Sequence, residues 1–299
     1  MLFTLLVLAI LEVSLSFDNA IVNAKLLKRL PQSMQKIFLT IGWLIAVVWV
    51  RFKLPAFIVA LSLGLKSSEI EHMALFQPEL YASTLQYAKG TIDAFGGSFL
   101  LCLFCSFLFS DEKELHWLPC IEHPAMNLAK ETSSLGCLAI YASIILLLGS
   151  VSGLPLLPGV IGVVLFTAMK ILEEGLEMNS GGIKKVLWGF LFLEIIDASF
   201  SLDGVIAAFS ITNNIYQIAI GLGIGAWAIR YLTVKLVQRN TLQSLPYLEH
   251  GAYWSIGVLG FLTLFSKYIE IPQYALGAIT LAIILLSYRA SLKLANNLI

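Results

Sequence analysis

Glu12, Asp18, Glu194, Asp197 and Asp203 are five carboxylates set inside apolar runs long enough to cross a membrane. An ionised side chain at the middle of a bilayer costs about 2.5–3.5 kcal/mol even on the lenient insertion scale, so acids persist there only where something uses or pairs them. They fall in two related stretches: residues 11–22 read LEVSLSFDNAIV and residues 193–206 read LEIIDASFSLDGVI. With Glu12 laid on Asp197, Ser14 falls on Ser199, Ser16 on Ser201, Asp18 on Asp203 and Ile21 on Ile206. On a helix Glu12, Ser16 and Asn19 share one stripe, as do Glu194, Asp197 and Ser201; Ser14 with Asp18, and Ser199 with Asp203, form a second. Two polar stripes per span leave little surface for lipid, which puts both spans inside a bundle, facing each other or a watery cavity. Carboxylates, hydroxyls, an amide, and backbone carbonyls freed by unwinding at Asp18-Asn19 or Asp203-Gly204 make an all-oxygen ligand set. Such a set suits Mn²⁺, Mg²⁺ or Ca²⁺ rather than Zn²⁺ or Cu⁺. The competing reading is structural: the acids pair with Arg51 and Arg230 and clamp helices together. Against it, five acids exceed two arginines, and a buried pair is a weak source of stability.

The elements that position these residues follow from composition. The chain has 299 residues, 58% hydrophobic and 13% charged, against about 25% charged in ordinary soluble domains. It reads as an all-α, polytopic membrane helical bundle. A formal net charge of zero supplies no basic surface for nucleic acid. The first apolar run lacks a basic start and carries Glu12 and Asp18, so it reads as a retained span rather than a secretory signal. At roughly 20 apolar residues per crossing, about nine spans are expected, near 2–24, 36–64, 92–110, 135–151, 154–172, 186–211, 215–237, 251–267 and 273–291. Pro55 should kink or break the second.

Basic residues then orient the bundle. With the N-terminus outside and the C-terminus cytoplasmic, 13 Lys and Arg fall on the inner side and 3 on the outer, while Arg51, Lys53 and Arg230 lie within spans. This is the expected topology in a plasma (inner) membrane. The motif spans are the first and the sixth and so run in opposite directions, the trace of an inverted-topology repeat of the kind found in secondary transporters. Each is followed, one span later, by an arginine. The expected organisation is a single transmembrane domain over 1–299, with a first repeat at 1–110, a connecting loop and linker helices at 111–185, and a second repeat plus an extra C-terminal helix at 186–299.

Other patterns have plainer readings. Cys102 and Cys105 have CxxC spacing but lie in an apolar span without a βαβ context, so helix packing competes with redox or soft-metal chemistry. His116, Cys120 and His123 could ligate zinc but offer no clear fourth ligand, and their loop also reads as solvated or as an acidic ion-gathering segment. Gly221 and Gly225 are a small-xxx-small pair suited to close helix packing. Glu173, Glu174 and Glu177 read as a solvated connector. No GxSxG elbow occurs, and no enzyme of that type is indicated.

The EVxLSxDN-like stretch from Glu12 to Asn19, the ExxDxxFSxDG-like stretch from Glu194 to Gly204, and the arginine in each following span resemble the TerC family of the LysE-type transporter superfamily. Residues 95–117 and 248–257 resemble an uncharacterised TerC-like branch. The resemblance implies export of a divalent metal cation, most of all manganese, and a link to tellurite resistance. It implies a metal site built from Glu12, Asp18, Glu194 and Asp203 with Asn19 nearby; Asp197 is an additional acid here, and Gly204 stands where the first motif has Asn19. Ser16, Ser201, Arg51 and Arg230 would support the site. The excess of three negative charges over the arginines further suggests metal/proton antiport, since an empty site keeps its charge unless protons bind. The alternatives are an intramembrane aspartate-dependent enzyme and a non-transporting partner in tellurite resistance. No resident cofactor is expected. The implied partners are the lipid bilayer and the metal ion, and a homo-oligomer is compatible with both.

Overall fold

The computed structural model describes every residue except 54, 55, 58, 61–63, 112, 180–182, 270, 298 and 299; the side chains of 50, 52, 173–179, 183–185, 199–203, 273 and 295–297 also lie outside the described residues. Helix dominates, and no strand occurs among the described residues. Large apolar side chains such as Leu6, Ile10, Trp49, Leu147, Val164, Ile220 and Leu285 stand outward, while Glu12, Asp18, Arg51, Asp197 and Arg230 are buried. Such a pattern would leave a water-soluble protein with large apolar patches; in a bilayer the apolar faces meet lipid and the charges pair inside. The chain is a helical membrane protein.

Helical segments lie at all nine expected span positions. By length and apolarity alone, four qualify as crossings among the described residues: Pro78–Leu108, Ser134–Val151, Ile215–Gln238 and Tyr274–Leu294. A fifth appears if Leu2–Leu15 and Phe17–Lys28, which meet at 58°, count as one broken span. Among the remaining segments are the charge carriers, Arg51 and Lys53 in one and the acids of the second motif in another. The Pro55 kink falls outside the described residues.

The chain divides into two compact units. The first comprises Met1–Ile92 and Ser180–Lys235, and so holds both motif copies and both arginines. Its N-terminal helix Leu2–Leu15 ends at Ser16 (φ −115°, ψ 15°) and Phe17–Lys28 follows. Ser16 N–H still donates to Glu12 O and Ala20 N–H to Ser16 O, while Asn19 N–H at the bend turns to Asp18 Oδ1. The break thus comes two residues before Asp18-Asn19, where unwinding was expected, and it places Asp18 in the first turn of a helix, favourable for an acid. The second motif shows no matching break, because Ile183–Phe209 runs unbroken through Asp203-Gly204. After Gln32–Ile37 the chain winds as π-helix over Phe38–Gly42 and Ile45–Lys53, and the second stretch carries Arg51. Gly221 and Gly225 set a close helix crossing: methyl groups there would lie 2.6 Å from Leu8 Cβ and 2.5 Å from Glu12 Cβ.

The second unit comprises Asp93–Asn179 and Leu236–Ile299. Ser134–Val151 and Leu156–Asn179 are separate helices, joined by a turn in which Gly153 takes φ +72°, a conformation that costs glycine little. Ser152 Oγ secures the turn by accepting from Leu154 N–H. Pro246–Leu264 and Gln273–Asn297 form a helical hairpin, and Pro119–Glu131 is a short helix burying Glu122, Met126 and Ala129 on one face. Cys102 is buried and Cys105 partly so, and both thiols are free.

At Gly97 a methyl would sit 2.8 Å from Leu264 N and 3.0 Å from Gly260 O, against backbone that cannot move aside. Gly97→Val is therefore expected to lower stability by about 1–3 kcal/mol through overpacking, read as a reduced Tm in detergent, while Gly64→Ala, with nothing near its Cβ position, should cost only its backbone strain.

Candidate functional site

Arg230 is the centre of the first unit's polar interior. Its side chain is 1% exposed, and its fork spans two acids of the second motif. Nη1 donates to Glu194 Oε1 at 2.9 Å and to Phe38 O at 3.1 Å; Nη2 donates to Glu194 Oε2 at 2.9 Å and to Asp197 Oδ2 at 2.6 Å. The guanidinium also lies 4.2 Å from the centroid of the Phe38 ring. Helical spacing explains the grip: Glu194 and Asp197 are three apart on one face, within reach of a single planar fork. Gly42 leaves the room, since a methyl there would sit 2.6 Å from both Arg230 Nη1 and Glu194 Oε1.

Arg51 treats the first motif similarly. Its Nη2 donates to Glu12 Oε1 and its Nη1 to Ala46 O at 3.0 Å, while Ser16 Oγ donates to the same Glu12 oxygen at 3.2 Å. Lys53 takes no part; it pairs with Glu71 in a half-exposed position. The two motifs meet directly. Asn19 Nδ2 donates to Asp197 Oδ1 at 2.6 Å, and a methyl at Gly204 would lie 3.2 Å from Glu12 Oε2. Asp18 is fully buried and its Oδ1 accepts from Asn19 N–H at 2.9 Å.

Of the expected ligands, the structure gathers Glu194, Asp197 and Asn19 around Arg230, and Glu12 with Ser16 around Arg51. The side chains of Ser201 and Asp203 fall outside the described residues. Among the described residues no three His, Cys, Asp or Glu side chains are arranged to hold a metal ion. The acids that could do so are instead neutralised by guanidinium. Among the described residues some polar atoms here have no partner: Arg51 Nε, Arg230 Nε, Asn19 Oδ1 and both amide atoms of Asn23. Each buried orphan costs about 1–3 kcal/mol. Asn23 was not singled out in the sequence. Its signal was available there, since it stands four residues after Asn19 on the same polar stripe.

The second unit has its own buried ionic group, which motif spacing did not disclose. Glu122 is fully buried; its Oε1 accepts from Trp254 Nε1 at 2.9 Å and from His250 Nδ1 at 3.2 Å. Phe107 stacks on Tyr253 at 4.3 Å and meets the His250 ring edge-on. Burial alone would raise the Glu122 carboxyl, but the hydrogen bonds and charge of His250, with those from Trp254 and Leu118 N–H, outweigh it and hold it at about 2. His116 and His123 stack at 4.1 Å rather than diverging around an ion, and Cys120 is exposed. Burial and the neighbouring His123 lower the His116 pKa.

A family model described as a protein of unknown function (DUF475) matches residues 17–298. An uncharacterized membrane protein YceF of Bacillus subtilis (strain 168) is 28% identical over 89 residues, 29% of this chain and 34% of the relative. The alignment therefore spans about a third of that relative's length. No solved structure matches the chain.

Two outcomes follow from the ion pairs. Arg230→Met leaves Glu194 and Asp197 buried without their cation and should cost about 3–5 kcal/mol; adding Glu194→Gln and Asp197→Asn should restore most of the lost Tm. Glu122 titrates below its ordinary value of 4.5, so the stability it contributes is complete above about 4.5 and lost as pH falls toward about 2. The Tm of Glu122→Gln should accordingly be lower at neutral pH and depend less on pH across that interval.

Proposed function

The chain belongs to the DUF475 family, and from that premise we propose that it is a secondary carrier exporting a hard divalent cation, manganese foremost, across a prokaryotic plasma membrane. The observation that carries this reading is the meeting of two acidic motifs in one buried interior, joined by the Asn19–Asp197 hydrogen bond. A structural clamp needs one acid per arginine. Here Glu194 and Asp197 share Arg230, and Asp18 is buried as well. The donors are oxygens throughout, as hard cations require. The likeness of both motifs to the TerC family points to the same class of cargo.

In this reading the arginines are internal counter-ions. With no cargo bound, Arg51 and Arg230 occupy carboxylates and offset two of the five negative charges. An entering cation competes for the same oxygens, and the guanidinium groups withdraw to their backbone acceptors, Ala46 O and Phe38 O. Two arginines cannot balance five acids, and the remaining charge is expensive in the bilayer unless protons are taken up as the metal leaves. Metal/proton antiport follows from that balance. The basic residues of the loops favour the N-terminus outside and the C-terminus in the cytoplasm.

Mn²⁺ flux into vesicles holding the purified protein tests the reading. Asp18→Asn and Asp203→Asn should each abolish flux while leaving Tm within a few degrees of the parent, because an amide keeps the shape and loses the charge. An imposed pH gradient should drive flux, with protons moving the other way. Unchanged flux in both variants would leave the acids as clamps alone; a membrane-embedded aspartate enzyme would cleave its substrate and carry no cation.

A further inference from the structure

The polar stripe of Phe17–Lys28 continues past the acids. Asn19 and Asn23 lie four residues apart on one helix face, and each is 1% exposed. Asn19 Nδ2 is committed to Asp197 Oδ1, which fixes the amide's orientation, since the reversed amide would press oxygen against carboxylate. Its Oδ1 is therefore an acceptor with no donor, and Asn23 has neither donor nor acceptor for its own amide. A structural asparagine in an apolar interior normally holds something: a cap, a neighbouring helix, a loop. Among the described residues Asn23 holds nothing. An apolar residue of the same size would pack there without an unmet polar demand.

Two neutral carbonyl oxygens, one turn apart and continuous with the carboxylate stripe, suit a cation that is leaving or approaching stronger ligands. The waters that a hard cation carries turn their O–H groups outward, so the same carbonyl oxygens can accept from that shell before they bind the ion directly. The stripe runs from Glu12 through Ser16 and Asn19 to Asn23, toward the Lys25 and Lys28 end of the helix. We infer that Asn23, with Asn19 Oδ1, forms a second, uncharged oxygen site for the divalent cation, one turn beyond the acid cluster on the cytoplasmic path. The inference rests on the cation-carrier reading and adds to it a position of weak affinity, from which cargo passes to the carboxylates.

Asn23→Leu and Asn23→Asp in the full-length protein test it, with Mn²⁺ uptake into vesicles and Tm in detergent as readouts. Asn23→Leu removes both carbonyl and orphan amide; uptake should fall tenfold or more while Tm stays level or rises. Asn23→Asp turns the weak site into a charged one; KM for Mn²⁺ should fall severalfold and maximal rate with it. Uptake by Asn23→Leu within twofold of the parent overturns the inference. So does a KM in Asn23→Asp equal to the parent's, which decides the matter even if the leucine variant does not fold. Failure of the parent protein itself to carry Mn²⁺ overturns the carrier reading, a result distinct from either.

Discussion

A guanidinium inside a bilayer has to be matched by carboxylate at hydrogen-bonding distance, and that constraint organises the first unit. Arg230 donates three bonds to Glu194 and Asp197 and a fourth to a backbone carbonyl, with a ring face beside it. To bring the helices that near, positions with no side chain are required where the charges cross. Gly42 stands beside the Arg230–Glu194 contact and Gly225 beside the stem of Glu12. The glycines and the charges are thus one design. Small residues set the interhelical distance, the distance makes the pairing short, and the pairing makes the burial tolerable.

Much of this was legible because the informative residues are improbable where they stand. Acids in apolar runs, repeated with their serines, and an arginine one span later, announce a polar interior without any structure. Which acid meets which arginine was not legible. Glu194 and Asp197 share one fork while Glu12 has another to itself, an asymmetry decided by packing between segments distant in the chain. The bend was anticipated at Asp18-Asn19 from residue tolerance for unusual backbone, yet it lies at Ser16, where the acid stripe of one helix hands over to the next. Single dihedral angles of that kind depend on what surrounds the turn.

The Glu122 group shows the converse limit. Its residues come from two passages more than a hundred positions apart, HWLPCIEHP and LEHGAYW, and neither announces the other. Their relation emerges only when Pro119–Glu131 is laid against Pro246–Leu264, so that one carboxylate receives an imidazole and an indole together. His116, Cys120 and His123 offered three of the four ligands that zinc would need, in a loop that also read as solvated. The rings stack because the short helix turns His123 back over the preceding loop, and the residue between them that does bind partners is the glutamate.

The winding of the arginine-bearing segment has a consequence for how this chain tolerates change in length. Over Ile45–Lys53 the backbone holds an extra residue per hydrogen-bonded turn compared with α-helix. Loss of one residue from such a stretch can be absorbed by tightening to α-helical turns, leaving what lies on either side in register. The same loss within Ile183–Phe209 has no slack to draw on, and would rotate every later position by about 100°. Small deletions should therefore be forgiven beside Arg51 and punished beside Glu194. The arginine-bearing and acid-bearing segments thus differ in their freedom to vary in length.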